Sequence, residues 1–313
     1  MKLTGRFLIV FFVNIMLFGC ASKEKKEAKK ASITVEAQKN FQRVTPPVLF
    51  TDPKDRASYL ATHFWDNFDF KDTTFCSLPT ITEQAFVDFI SVFPITTTAK
   101  VSEGVKKLLN AAEVEEVMYN YFFKLGERYL YDPNSPYRND EFFIPFLEHI
   151  VESSKVVELA KARPQELLKL AYRNRPGSKA EDFVYTTASG ATGRLHTLSA
   201  RYILLMFYNP DCKECKLTTD EIRRSTEITA AVSSGKMKVV GVYPDENLEA
   251  WRNHLNDYPS SWINSYDKAS TIKNNQIYDL KAIPTLYLLD EKKNVLLKDA
   301  TVGQIHEFLK SNK

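Results

Sequence analysis

Tyr202-Ile203-Leu204-Leu205-Met206-Phe207-Tyr208 runs without a charged or small polar residue into Asn209-Pro210-Asp211-Cys212-Lys213-Glu214-Cys215. A continuous apolar run closed by a proline-containing turn predicts a strand buried on both faces of a sheet, not one with a wetted side. After the turn the pattern becomes helical, to about Val232, so the two cysteines fall where a strand hands over to a helix. That junction has chemical consequences. The first N–H groups of a helix lack intrahelical partners and the dipole is positive there, so a sulfur at Cys212 is favoured as thiolate. Cys215 follows one turn later, within reach of any mixed disulfide that Cys212 forms.

Working outward, Lys238–Val242 predicts a second buried strand, and helices are expected near Glu246–Asn256 and Ser270–Tyr278. Thr285–Leu289 and Val295–Leu297 predict two strands around the turn Asp290-Glu291-Lys292-Lys293-Asn294, and Val302–Lys310 a closing helix. Upstream, Phe183-Val184-Tyr185 and Leu195-His196-Thr197-Leu198 flank a Ser189–Gly193 turn and predict a strand pair. Strand, Cys-x-x-Cys, helix, strand, helix, proline-led hairpin and helix is the order of the thioredoxin fold.

The segment Phe207-Tyr208-Asn209-Pro210-Asp211-Cys212-x-x-Cys215, followed later by Ala282-Ile283-Pro284-Thr285, resembles the TlpA-like thiol–disulfide oxidoreductases. Asp182-Phe183 and the Gly193–Leu198 stretch extend the resemblance over residues 180–313. It implies that Cys212 is the nucleophile, Cys215 the resolving thiol, and Pro284 a cis-proline facing the pair. Ile283 would offer backbone hydrogen bonds to an extended substrate. The implied substrates are protein disulfides and the implied electron donor a thiol relay in the membrane, with no cofactor. The chain departs from the family in three places. Asp211 stands where many members carry tryptophan, Met206 replaces the buried acid of thioredoxin, and Thr218 replaces a glutamate of some TlpA-like reductases. Lys213 would stabilise a Cys212 thiolate while Asp211 and Glu214 oppose it, which predicts a modestly favoured thiolate and a reducing or intermediate potential.

Ahead of this segment, from Pro46 to about Arg175, apolar residues recur at helical spacing. Asp52-Pro53 predicts an N-cap and first helical turn, with Ala57, Leu60, Ala61, Phe64, Trp65 and Phe68 on one face. Further helices are expected from Thr82 to Pro94, over Glu103–Ala112, Glu113–Tyr131 and Asp140–Glu152, and as a pair over Lys155–Ala162 and Pro164–Asn174. The aromatics predict core, Cys76 a small buried hydrophobe, and His63 and His149 structural roles. This half resembles an uncharacterised helical domain that precedes such modules in bacterial lipoproteins.

At the N-terminus Lys2 and Arg6 precede the apolar stretch Phe7–Phe18. Its twelve residues span about 18 Å as a helix, short of the ~30 Å hydrocarbon core, so a cleaved secretory signal is expected rather than a membrane span. Leu17-Phe18-Gly19-Cys20 resembles the bacterial lipobox, which implies lipidation of Cys20 and a body held outside the cytoplasm in the cell envelope, periplasm-facing or surface. The expected organisation is a signal over 1–19, a Lys/Ala/Glu-rich tether over 20–45, an all-α domain over 46–176 and a thioredoxin-like α/β domain over 180–313.

Other function classes fit less well. The chain carries +3 formally, yet Lys2 and Arg6 supply +2 and the Lys23–Lys30 run another +3, leaving the remainder at −2. No basic body remains for a nucleic acid. Zinc needs about four ligands, and neither a second cysteine pair nor a paired histidine accompanies Cys212 and Cys215; His196, His254 and His306 are scattered, so no metal is expected. Copper delivery would need a wider cysteine spacing with a histidine, and a peroxidase a Pro/Thr-rich turn at its cysteine. A tethered binding module with idle thiols remains the alternative to an enzyme.

Overall fold

The computed structural model describes residue 39 and residues 41–312. The expected signal, Cys20 and the tether up to residue 38 lie outside the described residues. The far end of the expected tether is not a linker. Phe41 is buried, stacked on Trp65 at 5.5 Å between ring centroids and edge-on to Phe68 at 5.3 Å, and Lys39 pairs with Asp72. Burying a phenyl ring outweighs the cost of ordering its segment, so the helical body includes Phe41 rather than starting at residue 46.

Helix α1 (Pro53–His63) opens as its sequence predicts, with the Asp52 carboxylate accepting from the Lys54 N–H at 2.7 Å and Pro53 in the first turn. Helix α2 (Thr82–Ser91) buries Phe86, Phe89 and Ile90. Helix α3 (Thr98–Ala112) starts ahead of the expected Glu103, because the Thr97 hydroxyl accepts from the Lys100 N–H at 3.3 Å and caps an extra turn. The expected helix over Glu113–Tyr131 is instead α4 (Glu116–Gly126) followed by a π-helical turn over Glu127–Tyr131. Helix α5 (Asp140–Glu152) has its expected bounds, and the Asn139 side chain accepts from the Glu141 N–H at 2.9 Å. Where two helices are expected, a single α6 (Glu158–Ala171) runs through Pro164. The proline ring lies on the buried face with Leu167 and Ala171, and packing along α5 compensates the hydrogen bond it cannot donate. One aromatic-rich core joins these helices. His149 belongs to it, between the Tyr119 hydroxyl (3.1 Å) and Asn110 (2.9 Å), and Cys76 lies against it, with its sulfur 3.7 Å from Met118 Sδ.

Beyond Arg175 the chain builds one seven-stranded sheet in the order β2-β1-β5-β4-β3-β6-β7. Its strands are β1 (Val184–Thr187), β2 (Thr192–Arg194), β3 (Tyr202–Phe207), β4 (Met237–Tyr243), β5 (Ile263–Tyr266), β6 (Thr285–Asp290) and β7 (Val295–Lys298). Its helices are α7 (Lys213–Arg224), α8 (Thr226–Ser233), α9 (Leu248–Asn253), α10 (Thr271–Asn274) and α11 (Val302–Ser311). Strand β3 is central and wholly buried, parallel to β4 and antiparallel to β6. Its side chains alternate as a pleated strand requires. Tyr202, Leu204 and Met206 pack with Ile222, Ile228 and Ile305 of α7, α8 and α11, while Ile203, Leu205 and Phe207 pack with Phe183 and Tyr278.

Four local expectations give way. Leu195–Leu198 is not a strand: β2 precedes it, and Leu195–Thr197 is a 3₁₀ turn held by the His196 N–H donating to Asp182 at 2.9 Å. The helix after Cys212 breaks at Ser225, whose hydroxyl accepts from the Ile228 N–H at 3.4 Å and opens α8. The helices expected near Glu246–Asn256 and Ser270–Tyr278 are short, and Asp267 caps α10 by accepting from the Ile272 N–H at 2.7 Å. Strand β5 was not expected, since Ile263-Asn264-Ser265-Tyr266 has no apolar alternation. It is held by pairing to β4 and β1 and by the buried Ser265 hydroxyl donating to the Gly241 carbonyl at 2.9 Å. No helix among the described residues is long and apolar enough to cross a membrane.

Candidate active site

Strand β3 delivers the chain to a turn in which the Asn209 side chain accepts from the Asp211 N–H at 3.0 Å. This turn places Cys212 in extended geometry at the N-cap of α7. Its sulfur does what a serine or aspartate oxygen usually does, accepting from the Cys215 N–H at 3.3 Å. The Cys212 thiol also donates to the Ile283 carbonyl at 3.4 Å, beside the cis Ile283–Pro284 peptide that leads into β6. The structure thus brings Cys212 and Cys215 at the start of α7 together with Ile283 and Pro284 of the segment leading into β6.

The two sulfurs have different surroundings. Cys212 is half-buried and Cys215 fully buried. Burial pushes the Cys215 thiol far above the ordinary cysteine range, a backbone hydrogen bond at Asn209 opposes this, and the neighbouring Cys212 adds to the rise. Iodoacetamide applied to the reduced native protein at about pH 8 is therefore expected to label Cys212 and spare Cys215. Peptide mapping by mass spectrometry reads the result, and equal labelling of both would contradict the burial.

An aromatic floor lies under the pair. Trp251 Nε1 donates to the Tyr208 hydroxyl at 2.9 Å, and the Tyr208 and Tyr258 rings stand 4.3 Å apart between centroids. The buried Tyr258 hydroxyl has no hydrogen-bond partner among the described residues. With Met206 buried in the apolar core, this side of Cys215 is dry and aromatic. Of the three residues expected to tune the thiols, Lys213 and Glu214 are exposed and make no ion pair among the described residues. Asp211 is exposed too, with its carboxylate 3.5 Å from His254 Nε2, while His254 Nδ1 lies 2.9 Å from Asp257. The sequence reading left His254 among the scattered histidines. It reaches the site from the end of α9, and no local spacing announces that approach. Tyr258 and Trp251 were likewise missed, because aromatics there are indistinguishable from ordinary core. Among the described residues no group of three or more His, Cys, Asp or Glu side chains is gathered as for a metal ion.

A mixed sheet with a cysteine pair at the start of α7, opposite a cis-proline, defines a thioredoxin-like protein. Family models agree: residues 200–295 match a thioredoxin-like family, and residues 19–174 match DUF5106, a domain of unknown function. A thioredoxin-like protein from Bacteroides caccae, known from its crystal structure, is 44% identical, with a TM-score of 0.85 over 88% of this chain and 99% of that one. The chain belongs to the same family of thioredoxin-like proteins as that Bacteroides caccae protein. The C-terminal domain of an uncharacterized protein from Bacteroides fragilis is 46% identical, covering 44% of this chain and 98% of its own, with a TM-score of 0.43. The thioredoxin domain of a thiol-disulfide oxidoreductase from Bacteroides vulgatus is 18% identical over 44% of this chain and 97% of its own, with a TM-score of 0.40. No curated protein matches the chain.

Proposed function

We propose that the protein is a TlpA-like thiol–disulfide oxidoreductase that reduces protein disulfides outside the cytoplasm, held to a membrane of the bacterial envelope by a lipid on Cys20. The observation that carries the reading is the Cys212 sulfur, which accepts from the Cys215 N–H and lies against the Ile283 carbonyl. In the forward direction the Cys212 thiolate attacks one sulfur of a substrate disulfide. A mixed disulfide forms and the other substrate sulfur leaves as a thiolate. Cys215 then gives up its proton and attacks the Cys212 sulfur. The Cys212–Cys215 disulfide closes, the second substrate thiol is released, and two electrons have passed to the substrate. A dithiol donor, which the resemblance suggests is a membrane relay, returns the pair to the reduced state.

The proton that Cys215 loses has no carboxylate waiting for it at Met206 or Thr218, so it passes to water or to the departing substrate thiolate. Beside the pair one exposed cation, Lys213, stands against two exposed carboxylates, Asp211 and Glu214, and the direction proposed is reduction of the substrate.

Insulin reduction tests the reading. With dithiothreitol as donor, wild-type protein is expected to accelerate disulfide cleavage and Cys212→Ser to fall to the uncatalysed background. A wild-type protein as inert as Cys212→Ser would leave a binding module with idle thiols.

A further inference from the structure

The segment that presents Ile283 to Cys212 is irregular and is held from both halves of the chain. Between α10 and β6 the chain forms neither helix nor strand. Its internal contacts are the Thr285 hydroxyl donating to the Ala282 carbonyl at 2.6 Å and the Lys281–Asp279 ion pair. The Tyr278 ring anchors its first half in the sheet core beside Phe207 and Tyr287, and the Ile277 N–H donates to the Ile272 carbonyl of α10. Further contacts come from the helical half and from the chain that leaves it. Arg173 donates to the carbonyls of Asn275 and Gln276, and Asn174 Nδ2 to the Ile277 carbonyl at 2.7 Å. The Tyr278 hydroxyl donates to the Glu181 carbonyl at 2.6 Å. Lys281, two residues before Ile283, reaches across to Asp140 in the first turn of α5 at 2.6 Å.

That last contact is the centre of a buried ionic cluster. Lys281 and Asp140 side chains are 7% and 4% exposed. Lys281 also lies 3.2 Å from Asp279 and over the Tyr131 ring at 4.4 Å. Asp140 is shared with Lys298 of β7 at 2.9 Å, and Lys298 donates further to the carbonyls of Ala171 and Arg173 at the end of α6. Arg138 holds both oxygens of Asp299 at 2.8 Å. The three carboxylates and three cations balance. Buried ion pairs contribute little to net stability compared with apolar packing, yet removing one partner leaves an uncompensated charge that the surrounding chain must move to relieve. Of the pieces of chain joined at the cluster, α5 and β7 are regular, and the irregular one carries Lys281, Ile283 and Pro284.

From this juxtaposition we infer that Asp140 of the helical half is a positioning residue for the Ile283–Pro284 ledge, acting through Lys281. The inference rests on the reading of the site as a protein-disulfide reductase. It assigns to the helical half the work of fixing the surface on which a substrate strand lies against Cys212. Attack by Cys212 on a small disulfide needs no such ledge, whereas a protein disulfide must be held along it.

The test uses the full chain carrying Asp140→Asn, with Lys281→Met, in which Asp140 keeps Lys298, as the second variant if the first does not fold. Two readouts are taken well below the melting temperature. Hydrogen exchange of the peptide over 279–285 is expected to quicken while exchange in α2 and β3 stays at its wild-type rate. The insulin rate divided by the rate with a small aromatic disulfide is expected to fall by between about tenfold and a hundredfold, carried by KM, the range for displaced positioning contacts. Unchanged exchange over 279–285, or quickened exchange spread through both cores, would overturn the inference, as would an unchanged rate ratio in an active protein. A wild-type protein without insulin reductase activity would refute the proposed function alone, and the exchange readout would still decide whether Asp140 holds the ledge.

Discussion

Cys215→Ala is expected to convert the protein from a catalyst into a reagent that reacts once. Cys212 remains at the helix N-cap with its Ile283 contact, so its attack on a substrate disulfide proceeds. The adduct then has nowhere to go. Resolution requires a thiol one turn into α7, and the other free cysteine of the described residues, Cys76, sits against the helical core beside Met118. One substrate chain per protein molecule should accumulate as a disulfide-linked species, visible on a non-reducing gel and released by dithiothreitol, while turnover with insulin drops to background. Mass spectrometry of adducts formed in the native envelope would identify the substrates. Adducts that form equally well when Cys212 is also replaced by serine would show that another sulfur is responsible. Sustained turnover by Cys215→Ala would remove Cys215 from the mechanism.

Gly104→Ala should produce the largest loss of stability. Gly104 lies in the middle of α3, where alanine would ordinarily gain up to about 1 kcal/mol in helix propensity. Here an added Cβ would stand 1.8 Å from the Ala61 carbonyl oxygen and 2.8 Å from its carbon. The obstacle is backbone, so no rotamer change relieves it, and α1 and α3 must separate. Their separation would open the core around Phe64 and Phe89, at a net cost of about 3 kcal/mol, the upper range for overpacking. For a chain of this size that lowers the melting temperature by roughly 6–12 °C. Thermal unfolding followed by far-ultraviolet circular dichroism checks it. A variant as stable as wild type would mean that the two helices do not approach this closely.

The unequal legibility of the two halves follows from where their information sits. Asp52-Pro53 and Asn139-Asp140 start helices through contacts with residues two or three positions away, and both helices begin where the sequence says. Pro164 was expected to divide a helix, and that expectation failed because Pro164 is buried in a helix that packs along α5, a contact outside the reach of a local rule. Strand β5 was missed for the same reason: Asn264 and Ser265 carry no strand signal, and the pairing to β1 and β4 supplies the order. At the site, the cysteine pair and the proline ledge were legible as motifs. His254, Tyr258 and the Asp140–Lys281 pair were not, since each is ordinary at its own position and acquires meaning only beside a residue far away in the chain.

The amino-acid sequence alone determined the α-helical front, the sheet-forming back and the thiol pair at a strand-to-helix junction, because periodicity, capping and the spacing of two sulfurs are properties of neighbours along the chain. Only the tertiary structure decided that Cys215 is sealed beneath aromatics, that Asp211 meets His254, and that the ledge facing Cys212 is anchored by a carboxylate from the other half. Those relations are created by burial, which draws together side chains that no local pattern links, and which makes an ion pair or a thiol behave as it would not in water.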